Sequence, residues 1–110
     1  MVRERRRYIA FNVIGKKLNT REVISNIIRT YIELFGEYGL SRASLRLISY
    51  DEEKGVGIIR CSLDTLRKTE AVLSSIYKIG QKEEKVRFSV LGVSGTIKSC
   101  IKNFLKGAEF

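Results

Sequence analysis

The sequence predicts an α+β fold in which strands and helices follow the order β-α-β-β-α-β and one more helix ends the chain. Three observations predict this order. Segments with apolar residues at every second position alternate with segments in which apolar residues recur every three to four positions. Glycines or acidic turns separate most of these segments. With 110 residues, no proline and no low-complexity stretch, the chain is expected to form a single domain over 1–110.

The first strand and the first helix have the clearest local signals. Apolar and polar residues alternate from Arg5 to Ile14, which predicts a strand. Asn19 and Glu22 have the spacing of a capping box, and the apolar residues that follow recur at helical spacing. The helix that they begin is predicted to end near Gly36 or Gly39.

A β-hairpin and a second helix are predicted next. Residues 45–50 and 55–62 have the composition of strands, and the acidic residues 51–53 between them form a short turn. Asp64 is placed to cap a second helix, which is predicted to stop near Gly80.

The last two elements are a strand and a helix. The strand is predicted from Lys85 to Val93, and the helix opens at Ser94-Gly95-Thr96 with apolar residues on one side and lysines beside them. The complete order gives a four-stranded antiparallel sheet with helices on one face, the RNA-recognition or ferredoxin-like sandwich. RNA-binding modules, enzymes and regulatory domains share this topology, so it leaves the function open.

The second face of this sheet is predicted to be apolar. If Ile9, Phe11 and Val13 point toward the helices, alternation places Tyr8, Ala10, Ile48, Tyr50, Val56, Ile58 and Leu91 on the opposite face. Such a face is too apolar to remain solvated. Either the C-terminal helix lies across it, or a partner protein does, or the two share it. The residues assigned to a protein partner are Tyr8, Ile48, Tyr50, Val56 and Ile58.

Positive charge is concentrated near the N-terminus. The chain carries 21 Lys and Arg against 12 Asp and Glu, a formal net charge of +9. Seven of these cations, with Glu4 as the single acidic residue, lie within the first 21 positions. One-sided charge of this kind favours a polyanionic ligand, most commonly a phosphate backbone. The alternative is a basic surface that serves solubility alone.

The predicted RNA contacts lie in three basic regions. These are the arginines at the first strand, the loop after that strand, and the final helix with its start. Arginine forks suit phosphates, and the backbone N–H groups of a helix start can receive a phosphate oxygen. The hydroxyls at that start can equally cap the helix. The predicted contacts are Arg5, Arg6, Arg7, Lys16, Lys17, Ser94, Thr96, Lys98, Lys102 and Lys106.

One residue type that many catalytic and metal sites use is missing. The chain has no histidine, which excludes histidine-dependent nucleophilic catalysis and histidine-ligated zinc. The carboxylates of 51–53 could hold magnesium loosely, although a solvated turn is the favoured interpretation. An acylphosphatase-like hydrolase shares the topology, but residues 15–19 lack the second glycine and the arginine pattern of its phosphate loop. We therefore expect no catalytic residue, no metal site and no cofactor bound by the protein itself.

One segment partly follows the octapeptide of RNA-recognition motifs. Residues 54–61 keep its basic residue and glycines, but Val56 and Ile58 replace aromatic residues. Those rings stack on splayed bases, so we do not expect single-strand recognition through the sheet.

Cysteine content and hydropathy suggest a compartment. Cys61 and Cys100 both have apolar neighbours, and two buried free thiols are favoured over a disulfide. No apolar run approaches the ~20 residues that cross a bilayer. A cytoplasmic location without membrane association is therefore expected.

Four segments together resemble one known family. They are Arg-Arg-Tyr-Ile-Ala-Phe at 6–11, Gly-Glu-Tyr-Gly-Leu-Ser at 36–41, Lys-Gly-Val-Gly-Ile-Ile-Arg-Cys at 54–61 and Leu-Gly-Val-Ser-Gly-Thr-Ile-Lys at 91–98. In this order and spacing, over nearly the whole chain, they resemble the small archaeal and eukaryotic ribonuclease P protein subunit, ribonuclease P protein component 2. The first and last segments are the most specific.

The resemblance implies a non-catalytic subunit of the ribonucleoprotein that removes 5′ leaders from precursor tRNA. It implies that the RNA component carries the chemistry with magnesium ions and that precursor tRNA is met indirectly. A TIM-barrel protein subunit is the implied protein partner, in a dimer of such pairs. The alternative is a protein-interaction scaffold of the same fold without direct RNA contact.

Overall fold

A computed structural model describes residues 5–79 and 84–106, and its main sheet has four antiparallel strands. The elements are β1 (Arg6–Ile14), α1 (Thr20–Ala43), β2 (Arg46–Asp51), β3 (Val56–Ser62), α2 (Leu66–Ser75), β4 (Lys78–Ile79), β5 (Glu84–Lys85), β6 (Arg87–Ser94) and α3 (Ile97–Phe104). The strand order in the main sheet is β2-β3-β1-β6, and every neighbouring pair is antiparallel. The predicted ferredoxin-like α+β arrangement with a C-terminal helix is thereby confirmed.

The larger core lies between the sheet and helices α1 and α2. At its centre the Phe11 ring is stacked with those of Phe88 and Tyr50, at centroid distances of 5.8 and 6.3 Å. The hydroxyls of Tyr31 and Thr69 form a buried hydrogen bond of 3.1 Å between the helices. Burying each large apolar side chain contributes about 1.5–3 kcal/mol, so this cluster is the main source of stability. Its buried members include Ile9, Phe11, Leu18, Val23, Ile27, Tyr31, Ile59, Val72, Leu73 and Phe88.

Helix α1 begins as predicted and ends later than predicted. The Asn19 side chain accepts from the backbone N–H of Glu22, whose side chain accepts from the backbone N–H of Asn19, so the capping box is confirmed. Gly36 interrupts the helix with φ 73° and ψ 174°, but helical backbone resumes and continues to Ala43. Gly39 permits a close approach inside the helix, since a Cβ there would lie 2.7 Å from Phe35 Cβ. The first helical run therefore ends at Gly36, as predicted, whereas the second run, which continues past Gly39 to Ala43, was not predicted.

Two irregularities in the sheet disturb the predicted alternation. In β2, Leu47 pairs with Ile59 and Ser49 with Ile58, which leaves Ile48 as an extra residue. In β6 the register shifts in the same way opposite Ala10 and Phe11, and Leu91 is the extra residue. A β-bulge of this kind resets which side chains face which side.

The segment between β3 and β6 departs most from the prediction. Asp64 caps no helix; it lies in a 3-10 turn, Leu63–Thr65, and α2 then ends at Ser75. The predicted stop at Gly80 lies outside the described residues. The strand expected from Lys85 is divided, because β5 pairs with β4 in a separate small sheet and the main strand begins at Arg87.

Candidate nucleic-acid interface

The second face of the sheet is covered by α3. Ala10 and Ile58 are completely buried beneath it, and Cys100 and Leu105 complete a second apolar cluster. Gly92 lets the helix approach, since a Cβ there would lie 2.2 Å from the Phe104 ring. The chain's own helix therefore lies across this face, over Ala10 and Ile58.

This arrangement corrects the predicted protein-partner face. Ile58 is inaccessible, and Tyr8, Ile48 and Val56 pack partly buried against the α3 cluster. Tyr50 lies on the other side of the sheet, because the bulge in β2 shifts the alternation after Leu47. Its hydroxyl donates to the Leu18 carbonyl at 3.0 Å, and burial, with nearby acidic side chains, raises the pKa of Tyr50.

The three N-terminal arginines are divided by the strand that carries them. Arg6 and Tyr8 are on the face that α3 covers, whereas Arg7 pairs with Cys61 on the side of α1 and α2. The Arg7 guanidinium donates to the Arg6 carbonyl at 2.8 Å. Arg5 precedes the strand and is exposed. The cluster in the sequence is thus not one patch of side chains.

The loop with Lys16 and Lys17 lies at the opposite end of β1, against the acidic turn 51–53. Lys17 Nζ and Glu53 Oε2 are 2.9 Å apart. A Glu52 carboxylate oxygen accepts from both the backbone N–H and the hydroxyl of Thr20, at 3.0 and 3.1 Å. The acidic turn therefore stabilises the start of α1 through Glu52 and pairs with a positive charge of the loop through Glu53. Neither role was predicted from the sequence.

Replacing Glu52 by alanine is expected to lower the free energy of unfolding by about 1 kcal/mol, as loss of a helix-capping acceptor does. Urea denaturation of the variant measures this change. The matched variant Glu53→Ala should change it by less than about 0.5 kcal/mol, because its pair with Lys17 is solvent-exposed. Equal losses in the two variants would contradict the capping role.

The predicted residues around α3 lie at its start and on its exposed surface. Thr96 is the N-cap, with Oγ1 accepting from the Ser99 N–H at 3.1 Å, so the capping interpretation of this hydroxyl is confirmed. Ser94 Oγ lies 3.5 Å from the Thr96 nitrogen. Lys98, Lys102 and Lys106 are exposed. The lysines extend a positive surface over the helix; their contact with RNA stays a prediction.

Two basic residues that sequence inspection missed lie beside these positions. Arg46 pairs with Arg60, Arg60 pairs with Tyr8, and Tyr8 pairs with Ser94. Residues directly opposite one another in antiparallel strands project on one face. The sequence shows one basic residue in each strand of the hairpin. Only the pairing of the two strands shows that these residues, Arg46 and Arg60, lie side by side.

The glycines of the octapeptide-like segment have packing roles. A Cβ at Gly57 would lie 2.9 Å from Phe11 Cζ and 3.0 Å from Tyr50 Cδ1. Gly55 has φ 65°, and its carbonyl accepts from the Val13 N–H at 2.7 Å. In this chain the two glycines therefore serve ring packing and turn geometry.

The described residues offer no metal cluster and two protected thiols. Within residues 5–79 and 84–106, no three side chains of His, Cys, Asp or Glu are grouped as a metal site requires. None of the helices in those ranges has the length and apolar character of a membrane span. Cys61 and Cys100 are free and buried, and burial raises the pKa of both thiols.

Comparison with known proteins gives consistent matches. The model of the Rpp14/Pop5 family matches residues 7–105. Ribonuclease P protein component 2 of Methanocaldococcus jannaschii is 37% identical over 105 residues, covering 94% of this chain and 75% of the relative. The proteins of the same name from Archaeoglobus fulgidus and Pyrococcus furiosus are 37% and 35% identical, over 96% and 94% of this chain and 93% and 86% of the relatives.

A solved structure supports the fold independently of sequence. A chain in the cryo-EM structure of yeast Ribonuclease MRP superimposes with a TM-score of 0.71 at 10% identity, covering 87% of this chain and 78% of that one. At this identity the likeness concerns the fold alone.

Proposed function

The chain belongs to the Rpp14/Pop5 family, and from this premise we propose that it is a non-catalytic RNA-binding subunit of a ribonuclease P. In this proposal the RNA component removes the 5′ leader of precursor tRNA, and the protein supports it. The observation that carries the proposal is the family match over residues 7–105, together with relatives named ribonuclease P protein component 2.

The distribution of charge supports the RNA-binding part of the proposal. The net charge of +9 is accompanied by exposed cations at the N-terminal end of β1 and along α3. Polyanion binding by Lys and Arg is the usual source of RNA affinity. The proposed contacts remain those named from the sequence at the first strand, the 16–17 loop and α3.

The remaining parts of the assembly are also proposals. In this proposal magnesium ions are bound by the RNA and none is bound by the protein itself. The proposed direct protein partner is a TIM-barrel subunit, in a dimer of such pairs, and precursor tRNA is contacted indirectly. The proposed location is the cytoplasm.

A scaffold that binds proteins without touching RNA is the second candidate. It is favoured by an apolar stripe on the outer side of α1, where Ile24, Ile28 and Ile32 are each 38–39% exposed at four-residue spacing. Contiguous exposed apolar side chains commonly mark protein-binding surfaces.

Recovery of the tagged protein from its native cells distinguishes the two candidates. We expect one structured RNA to be enriched with it and to cleave precursor tRNA at the 5′ end of the mature sequence. An untagged strain and a tagged unrelated basic protein are the controls for charge-driven recovery. Protein partners without enriched RNA would instead establish the scaffold.

A further inference from the structure

We propose that Arg46 and Arg60, in register with Tyr8 on the sheet face that α3 covers, form a binding site for the phosphate backbone of RNA. The inference rests on the proposed function and names a contact surface within it. Neither arginine belongs to the basic regions that the sequence singles out, since Arg46 is in β2 and Arg60 in β3.

Strand pairing places the site. Arg46, Arg60, Tyr8 and Ser94 are successive partners across all four strands of the main sheet. Neighbouring strands are about 4.8 Å apart, so this row spans about 14 Å. Arg6 precedes Tyr8 by two residues on the same strand face, and α3 begins three residues after Ser94. The row therefore lies where the basic end of β1 meets the start of the lysine-bearing helix.

The electrostatics of the row favour an anionic ligand. Like charges directly opposite one another on neighbouring strands destabilise a sheet. Within the described residues, neither Arg46 nor Arg60 has an ion pair or a side-chain hydrogen bond to offset this repulsion. Lys17, at the other end of the sheet, has such a partner in Glu53. An anion bridging the two guanidinium groups would remove the repulsion.

Arg60 has the Nε end of its guanidinium group inside the protein. Its Nε is buried and has no hydrogen-bond partner among the described protein atoms, although the side chain as a whole is only partly buried. A bound anion would therefore accept from the other N–H groups of the guanidinium, which has five N–H donors in all. A phosphate oxygen accepts readily from the fork of an arginine side chain.

We propose RNA as the ligand of this site because the positive charge extends further than a single anion could reach. Arg46 and Arg60 are followed by Arg6 on β1 and by Lys98 on the first turn of α3. Together these cations fit an extended chain of phosphates. An isolated acidic side chain would engage one end of the row alone.

The test measures how the affinity of the full chain for a short RNA duplex depends on salt. The double variant Arg46→Gln, Arg60→Gln should lower the slope of log affinity against log salt by about 1.8, at about 0.9 for each duplex phosphate that is no longer neutralised. If the double variant and the wild type bind equally near 1 M salt, this difference in slope makes the affinity of the variant about 60-fold lower at about 0.1 M. The matched control Arg29→Gln, Arg67→Gln removes the same charge from exposed positions of α1 and α2, on the opposite face of the sheet, and should leave the slope nearly unchanged.

Stability separates a binding role from a structural one. The double variant should unfold at the same or a higher temperature than the wild type, because it removes two like charges that face each other on neighbouring strands. A structural role predicts a lower temperature. If the double variant does not fold, Arg46→Gln alone, at an exposed side chain, should still lower the slope by about 0.9.

The outcomes that overturn the proposal are distinct from those that overturn the function. If the wild type binds the duplex and the double variant keeps its slope and affinity, the site is wrong and the RNA-binding function stands. If the wild type does not bind RNA, both fail. If polyglutamate of matched charge binds the wild type more tightly than RNA, and the double variant loses that binding, the occupant is an acidic protein.

Discussion

Replacement of Gly92 by valine is expected to detach α3 from the sheet and to lower the free energy of unfolding by about 3 kcal/mol, the upper part of the range for overpacking. Gly92 pairs with Ala10 in the sheet, and a Cβ built on it lies 2.2 Å from Phe104 Cε1. The ring and the strand cannot both keep their places. Loss of the helix exposes the apolar face that Ala10 and Ile58 now bury.

The reactivity of the two thiols shows which of the two apolar clusters is disrupted in this variant. Cys100 is on the side of α3 that faces the sheet and Cys61 lies in the larger core, and both are fully buried. Because burial also raises the pKa of each thiol, both should react slowly with a thiol reagent in the wild type. In Gly92→Val one thiol, Cys100, should become reactive while Cys61 stays protected.

A neighbouring glycine supplies the control. A Cβ at Gly95 would meet no atom within 4 Å, so Gly95→Ala should leave both stability and thiol reactivity near wild-type values. A Gly92→Val protein with wild-type stability and a protected Cys100 would show that α3 does not depend on this contact.

Elements with local chemical signals were predictable from the sequence. The capping box of α1 depends on residues three apart and was placed correctly, and the N-cap of α3 is Thr96, one of the two hydroxyls predicted to cap it. The alternation of β1 identified the buried residues Ile9 and Phe11. In these cases the determining interaction lies within one element, so it is visible in a short window of sequence.

Features that depend on pairing between strands were not predictable. The bulge in β2 moves Tyr50 to the opposite face, although an alternating pattern through Ile48 had placed the two together. The extra pairing of β4 with β5 likewise divides what the sequence presents as one strand. A shift of one residue in register exchanges the faces of a strand, and no local propensity encodes it.

The same limitation explains the site. Basic residues adjacent in sequence, such as Arg6 and Arg7, are separated onto two faces, whereas Arg46 and Arg60 are brought together from 14 positions apart. Basic residues that are consecutive in a strand therefore do not form one positively charged surface. The structure is needed to show which cations share a surface.

Replacement of Arg5, Arg6 and Arg7 by alanine is expected to lower the salt slope of RNA binding by up to about 2.7, at about 0.9 for each duplex phosphate contact. Between about 1 M and 0.1 M salt, a difference of that size amounts to about 500-fold in affinity. Titration of the full chain with a short RNA duplex over this range measures it. A triple variant with the wild-type slope would remove this cluster from the RNA-binding surface.

Single variants then resolve how the two faces of β1 divide the effect. Arg6→Ala should lower the slope by about 0.9, since Arg6 shares a face with Tyr8 and lies beside the row that contains Arg60. Arg7→Ala tests the other face, where the guanidinium already donates to the Arg6 carbonyl beside Cys61. Equal reductions in slope would mean that RNA wraps around the end of the strand. A reduction confined to Arg6→Ala would place the RNA on the α3 side of the sheet, continuous with Arg46 and Arg60.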